Sequence, residues 1–131
     1  MTGEKTRLYS RILLWVYLIA LFVLCFGKFG QGPDLHFSLW GIPTDKLVHF
    51  AMFFPFPILT WLSLDGKSLS RKSRYTAIAT LLGAGTLIAI ATEAVQYFLP
   101  YRNGDWMDLL ADIVGLLVSS LILLVAVCRK D

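Results

Sequence analysis

Apolar and polar residues in this chain are segregated into blocks rather than alternating. Four apolar stretches run roughly over Ile12–Gly27, Leu47–Leu64, Tyr75–Leu99 and Leu109–Cys128. A helix needs about 20 residues to cross the hydrocarbon core, so each block is read as one transmembrane helix. The predicted spans are about 8–27, 45–64, 75–99 and 106–128. The first block is short unless Leu8, Tyr9 and Ser10 extend it and Arg11 snorkels to the interface. The fold class that follows is all-α: an integral membrane bundle of four transmembrane helices. It forms one domain over residues 1–131, with no repeat, low-complexity tract or linker to divide it.

Breaks within the blocks refine this. Pro55 and Pro57 sit inside the second stretch, in Phe53-Phe54-Pro55-Phe56-Pro57. Each removes a backbone donor and clashes with the preceding turn, so a kink or local unwinding is expected. Two readings stand: a membrane proline whose freed carbonyls are satisfied by neighbours, or a bend that opens a cavity above His49. Trp40, Trp61, Tyr101 and Trp106 are read as interfacial aromatics.

Composition agrees with the membrane reading. The chain is 56% hydrophobic with a mean hydropathy of +0.66, outside the range of an ordinary soluble domain. The net charge is +3, and its placement sets orientation. Lys5, Arg7 and Arg11 precede the first span, Lys67, Arg71, Lys72 and Arg74 lie between the second and third, and Arg129 and Lys130 follow the fourth. The other two loops hold only Lys28, Lys46 and Arg102. The positive-inside rule then puts both termini and the middle loop in the cytoplasm. The loops Lys28–Asp45 and Pro100–Asp108 face outward, in a multi-pass protein of the cell (inner or plasma) membrane. The basic loop is explained by orientation and anionic lipid heads, so nucleic acid is not expected as a partner. No small-x-small cleavage site follows the first span, which reads as a retained anchor. Cys25 and Cys128 fall near opposite ends of the bilayer, roughly 30 Å apart, so no bridge between them is expected.

Ionisable residues inside the apolar blocks are the candidate chemistry, because charge at membrane depth is costly. Glu93 is seven residues before Pro100, so about 10 Å below the outer end of its span. Asp112 lies at a similar depth from the same side, and His49 about one turn deep. Asp105, Asp108 and Asp112 are spaced i, i+3, i+7 and share a helix face, continued by the small residues Gly115 and Ser119. Glu93 and Gln96 are spaced i, i+3, and Asp45 and His49 i, i+4. The candidate ligand-binding set is therefore Asp45, Lys46, His49, Glu93, Gln96, Arg102, Asp105, Asp108 and Asp112, with Glu93, Asp112 and His49 the candidates for catalysis. Blander roles compete. Asp45, Asp105 and Asp108 favour the positive ends of helices, Lys46 suits an interface anchor, Gln96 suits interhelical bonding, and Arg102 suits pairing with an acid or an anionic ligand. A metal version would draw on His49 with Glu93, Asp108 or Asp112, but no HExxH or other diagnostic spacing is present. No metal and no cofactor are expected.

Three segments carry a family resemblance. Asp45-Lys46-Leu47-Val48-His49-Phe50 resembles the first signature of the VanZ-like membrane protein family, and Glu93-Ala94-Val95-Gln96-Tyr97-Phe98 the second. The third is resembled by Arg102-Asn103-Gly104-Asp105-Trp106-Met107-Asp108-Leu109-Leu110-Ala111-Asp112-Ile113-Val114-Gly115. They occur in the family's order and cover spans two to four. At the position of Asp112 the family pattern more often has asparagine, so an acid there adds a titratable group. The resemblance implies a small integral membrane protein of about four helices. The family takes its name from a protein conferring low-level resistance to the glycopeptide teicoplanin.

Three classes of function remain open at this point. The first is binding or modification of an anionic cell-envelope component by an outward-facing polar site, with membrane lipids, a lipid-linked envelope precursor or a glycopeptide as partners. The second is a membrane-embedded hydrolase or transferase using the carboxylate–histidine set. The third is a small proton-coupled transporter, which four spans could form only by oligomerising. Whether the protein is an enzyme, and its oligomeric state, are left open.

Overall fold

The computed structural model describes residues 2–27, 38–102 and 104–129. Five α-helices dominate: α1 (Thr2–Phe26), α2 (Thr44–Phe53), α3 (Pro55–Ser63), α4 (Arg71–Phe98) and α5 (Trp106–Cys128). Between α1 and α2 lies a hairpin of two-residue strands, β1 (Ser38–Leu39) and β2 (Ile42–Pro43), paired antiparallel with Leu39 opposite Ile42. Its turn residues Trp40 and Gly41 both take positive φ, 53° and 78°, as a two-residue hairpin loop matched to strand twist requires. Among the described residues, four helical stretches are long and apolar enough to cross a membrane: Gly3–Phe26, Thr44–Ser63, Arg71–Phe98 and Trp106–Val127.

Two helices start earlier than their apolar blocks. α1 begins at Thr2 and α4 at Arg71, because the hydrogen-bond ladder continues into polar residues that hydropathy alone does not count. Ser70 caps α4 by accepting from the Ser73 amide at 3.3 Å. Asp105 caps α5 by accepting from the Met107 amide at 2.9 Å, as short polar side chains do at helix starts.

The proline segment interrupts the second span between α2 and α3. Phe54 keeps right-handed helical angles, φ −53° and ψ −43°, and its amide still donates to the Phe50 carbonyl at 3.0 Å. Helical backbone therefore runs through Phe54 while the ladder loses the donors that Pro55 and Pro57 lack. Tyr17 of α1 donates its hydroxyl to the Met52 carbonyl at 2.5 Å, so a neighbouring helix supplies a donor beside the break.

α5 packs against α2, α3 and α4, and α1 packs on α3. Leu21, Cys25, Phe53, Phe56, Ala89 and Leu116 form one buried cluster, and Trp61, Ile78, Leu81 and Leu123 a second. Trp61 thus departs from its interfacial reading: its indole is buried against Gly66, where an added Cβ would lie 2.3 Å from the ring. Trp40, Tyr101 and Trp106 are exposed. Leu8, Ile12, Trp15, Ile19 and Phe22 leave one side of α1 exposed and apolar, as a lipid-facing helix requires. Cys25 is a buried free thiol. The side chain of Cys128 and the loop residues from Lys28 to Phe37, with Asn103, Lys130 and Asp131, lie outside the described residues.

Helix polarity decides which ends meet. The C-terminal end of α1 meets that of α4: Gln96 donates to the Cys25 carbonyl at 2.8 Å. The N-terminal ends of α2 and α5 meet there too, through Lys46 and Asp105. At the opposite end, Arg11 of α1 donates to the Ser63 carbonyl at 3.3 Å.

Candidate functional site

One turn of α2 supplies the positive side of the cluster. Lys46 and His49 are three residues apart, so they lie on one helix face, and that face is turned toward α5. The Lys46 ammonium donates to Asp45 Oδ2 at 3.0 Å, to Asp105 Oδ2 at 2.7 Å, and to Asp108 Oδ1. An ammonium has three donors, and all three are engaged. The Lys46 side chain is only 16% exposed, so these bonds are worth more than surface ion pairs. Beside this ammonium, the Asp105 carboxyl is held below the usual carboxylate range.

His49 sits one turn deeper, between two carboxylates. Its Nδ1 lies 2.9 Å from Asp112 Oδ1, and its Nε2 lies 3.4 Å from Asp108 Oδ2. The shorter separation is a full hydrogen bond, and the longer is a charge contact between ring and carboxylate. The i, i+4 spacing of Asp108 and Asp112 on α5 lets the pair grip both edges of one ring. Gly115, one turn further along, makes this approach feasible. A Cβ there would sit 2.5 Å from the Phe50 carbonyl oxygen, so only glycine lets α2 come this close.

Glu93 enters from α4. Its Oε1 accepts from the Asp105 amide at 2.6 Å, tying the end of α4 to the start of α5. Its Oε2 is buried and has no partner among the described residues, and the same holds for Asp112 Oδ2. Glu93 is 8% exposed and Asp112 is fully buried. An unsatisfied buried polar atom costs about 1–3 kcal/mol, so two such atoms in one cluster call for a ligand or proton. Donor atoms of His49, Glu93 and Asp112 all lie within 4.8 Å of one another. These three residue types suit metal binding as well as proton transfer.

Asp45, Lys46, His49, Glu93, Asp105, Asp108 and Asp112 thus form one connected network across α2, α4 and α5. Gln96 and Arg102 are placed differently. Gln96 is buried and binds α1 through the Cys25 carbonyl. Arg102 Nη2 donates to the carbonyls of Leu24 at 2.6 Å and Gly27 at 3.2 Å, where a cation meets the negative end of a helix. Tyr101 joins it by donating to the Phe26 carbonyl at 2.9 Å. The cation bridging three of the acids is Lys46. The sequence placed Lys46 in the ligand-binding set, with an interface anchor as its competing role, and the structure engages it with three aspartates instead.

The opposite end carries open cavities. One of about 480 Å³ is lined by Trp61, Leu64, Leu69, Leu81 and Lys72, with Lys72 its one charged lining residue.

Comparison with known proteins points the same way as the motifs. The family model described as VanZ/LLP1 matches residues 14–127. An uncharacterised protein of the fission yeast Schizosaccharomyces pombe is 30% identical over 102 residues, which is 78% of this chain and 56% of the relative. The chain therefore spans little more than half the length of that relative. No solved structure matches.

Proposed function

The chain belongs to the VanZ/LLP1 family, and from that premise we propose that it binds and modifies a membrane-borne cell-envelope component. His49, Asp112 and Glu93 are the acid–base groups of this reading, at the outward-facing end of a plasma-membrane protein. One observation carries it: two buried carboxylates flank an imidazole, each with an oxygen that no described group satisfies. Structural acids are normally completed by their neighbours. Buried acids beside a base, with bonding capacity to spare, are what general acid–base chemistry uses. The acids and the imidazole on α2, α4 and α5 gather at one end, and α5 carries no Asp, Glu, Lys, Arg or His beyond Asp112. That favours a site over a proton path through the bilayer.

An anionic head group suits the envelope connection, but Lys46 does not recruit it. Its donors are already engaged by three aspartates, and the network adds Glu93 and Asp112 as further carboxylates. The anion would need a cation bound with it. Teicoplanin resistance is one consequence that envelope modification could have.

The test is complementation. Cells lacking the protein are supplied with wild type, H49Q or E93Q at equal membrane abundance. Their envelope lipids are profiled by mass spectrometry, and teicoplanin susceptibility is measured. Wild type is expected to restore a profile that neither variant restores. Full restoration by both variants, or a deletion with no change in profile or susceptibility, overturns the reading.

A further inference from the structure

We propose that His49, Glu93 and Asp112 form a divalent metal centre, holding one ion of the Mn²⁺ or Zn²⁺ type. The proposal deepens the function above by naming the cofactor of the same site, and rests on that reading for the ligand the ion would meet.

Geometry is the first argument. Two donors about 2.1 Å from one ion and at right angles to each other are about 3.0 Å apart. His49 Nδ1 and Asp112 Oδ1 are 2.9 Å apart. An ion bound there replaces the proton between them. All three residues offer donors within 4.8 Å of one another. Two such bonds span about 4.2 Å across the ion and about 3.0 Å at right angles, so the Glu93 carboxyl closes the set by moving up to about two ångströms.

Valence is the second argument. Glu93 and Asp112 each keep a buried oxygen without a partner, although both residues are more than nine-tenths buried. An ion bound to either carboxylate supplies the bonds that their neighbours do not.

Charge is the third. The charge of Lys46 is spent on Asp45, Asp105 and Asp108, and it does not reach Glu93 and Asp112, two further carboxylates beside the imidazole. A dication matches that pair. Asp108 then faces the non-ligating nitrogen, because its Oδ2 lies 3.4 Å from His49 Nε2. Metal-bound histidines usually hold a carboxylate or carbonyl in this way.

Imidazole with carboxylates suits Mn²⁺ and Zn²⁺ better than thiolate-seeking ions. Three protein donors leave coordination positions open, where a phosphate oxygen of a head group could bind. The ion thus gives an anion a direct ligand position in an acid-rich site.

The full chain in lipid nanodiscs, stripped with a chelator, is titrated with MnCl₂ and ZnCl₂ by calorimetry. One ion per chain is expected, with E93Q and H49Q each weakening the Kd at least about tenfold. Thermal unfolding with and without chelator guards against variants that misfold: chelator is expected to lower the Tm of wild type and not that of E93Q. Folded wild type that binds neither ion stoichiometrically overturns the proposal, as does binding unaffected by both substitutions. Loss of the lipid profile in H49Q cells when no ion binds wild type overturns the metal centre alone. A stoichiometric ion lost in E93Q supports the centre even if the lipid profile is unchanged, and then only the proposed reaction falls.

Discussion

His49 Nδ1 on α2 and Asp112 Oδ1 on α5 are 2.9 Å apart, and Asp112 is fully buried. Removing the imidazole leaves a carboxylate with nothing to hold it. H49A is expected to lower unfolding stability in detergent by about 1–3 kcal/mol, and D112N added to H49A is expected to recover part of that loss. A double-mutant cycle on thermal unfolding checks it. Strictly additive effects would mean that the two side chains do not interact.

Lys46 is the hub for three aspartates of unequal exposure. Asp45 is 48% exposed at its side chain and Asp108 13%. D45N is therefore expected to change stability by less than about 0.5 kcal/mol. K46M leaves the inner aspartate without its cation and is expected to cost about 1–3 kcal/mol. Chemical unfolding of the two variants side by side measures the difference, and equal losses would contradict the hub.

Gly115 and Gly83 offer a matched pair. A Cβ at Gly115 meets the Phe50 carbonyl at 2.5 Å, whereas one at Gly83 meets nothing within 4 Å. G115A is expected to destabilise by about 1–3 kcal/mol through overpacking. G83A is expected to be neutral or to stabilise by up to about 1 kcal/mol through helix propensity. Melting temperatures of both variants decide the point.

Arg102 holds the end of α1 through the Leu24 and Gly27 carbonyls. R102A is expected to lower stability by about 1 kcal/mol while leaving the stoichiometry of Mn²⁺ binding unchanged. Loss of the ion together with normal stability would instead put Arg102 in the site.

Orientation has its own measurement. With Cys25 and Cys128 replaced by serine, a cysteine at Trp40 or Gly104 is expected to react with an impermeant thiol reagent added outside intact cells. A cysteine at Ser70 is expected to react only after lysis. The reverse pattern would place the acid cluster on the cytoplasmic side.

Read alone, the sequence already determined the four-helix membrane architecture and the layer in which the ionisable groups lie. Hydropathy over about 20 residues and helix rise per residue are local quantities, so both were legible without a fold. The break at Pro55 was legible for the same reason: a missing donor is a property of the residue itself. Partner choice was not. Lys46, rather than Arg102, bridges the aspartates because Gly115 lets α2 approach α5 to contact, while Arg102 reaches the end of α1. Likewise, spacing cannot reveal a donor set assembled from three different helices. His49, Glu93 and Asp112 come together only when the helix ends are packed, and that packing depends on contacts between residues far apart in the chain.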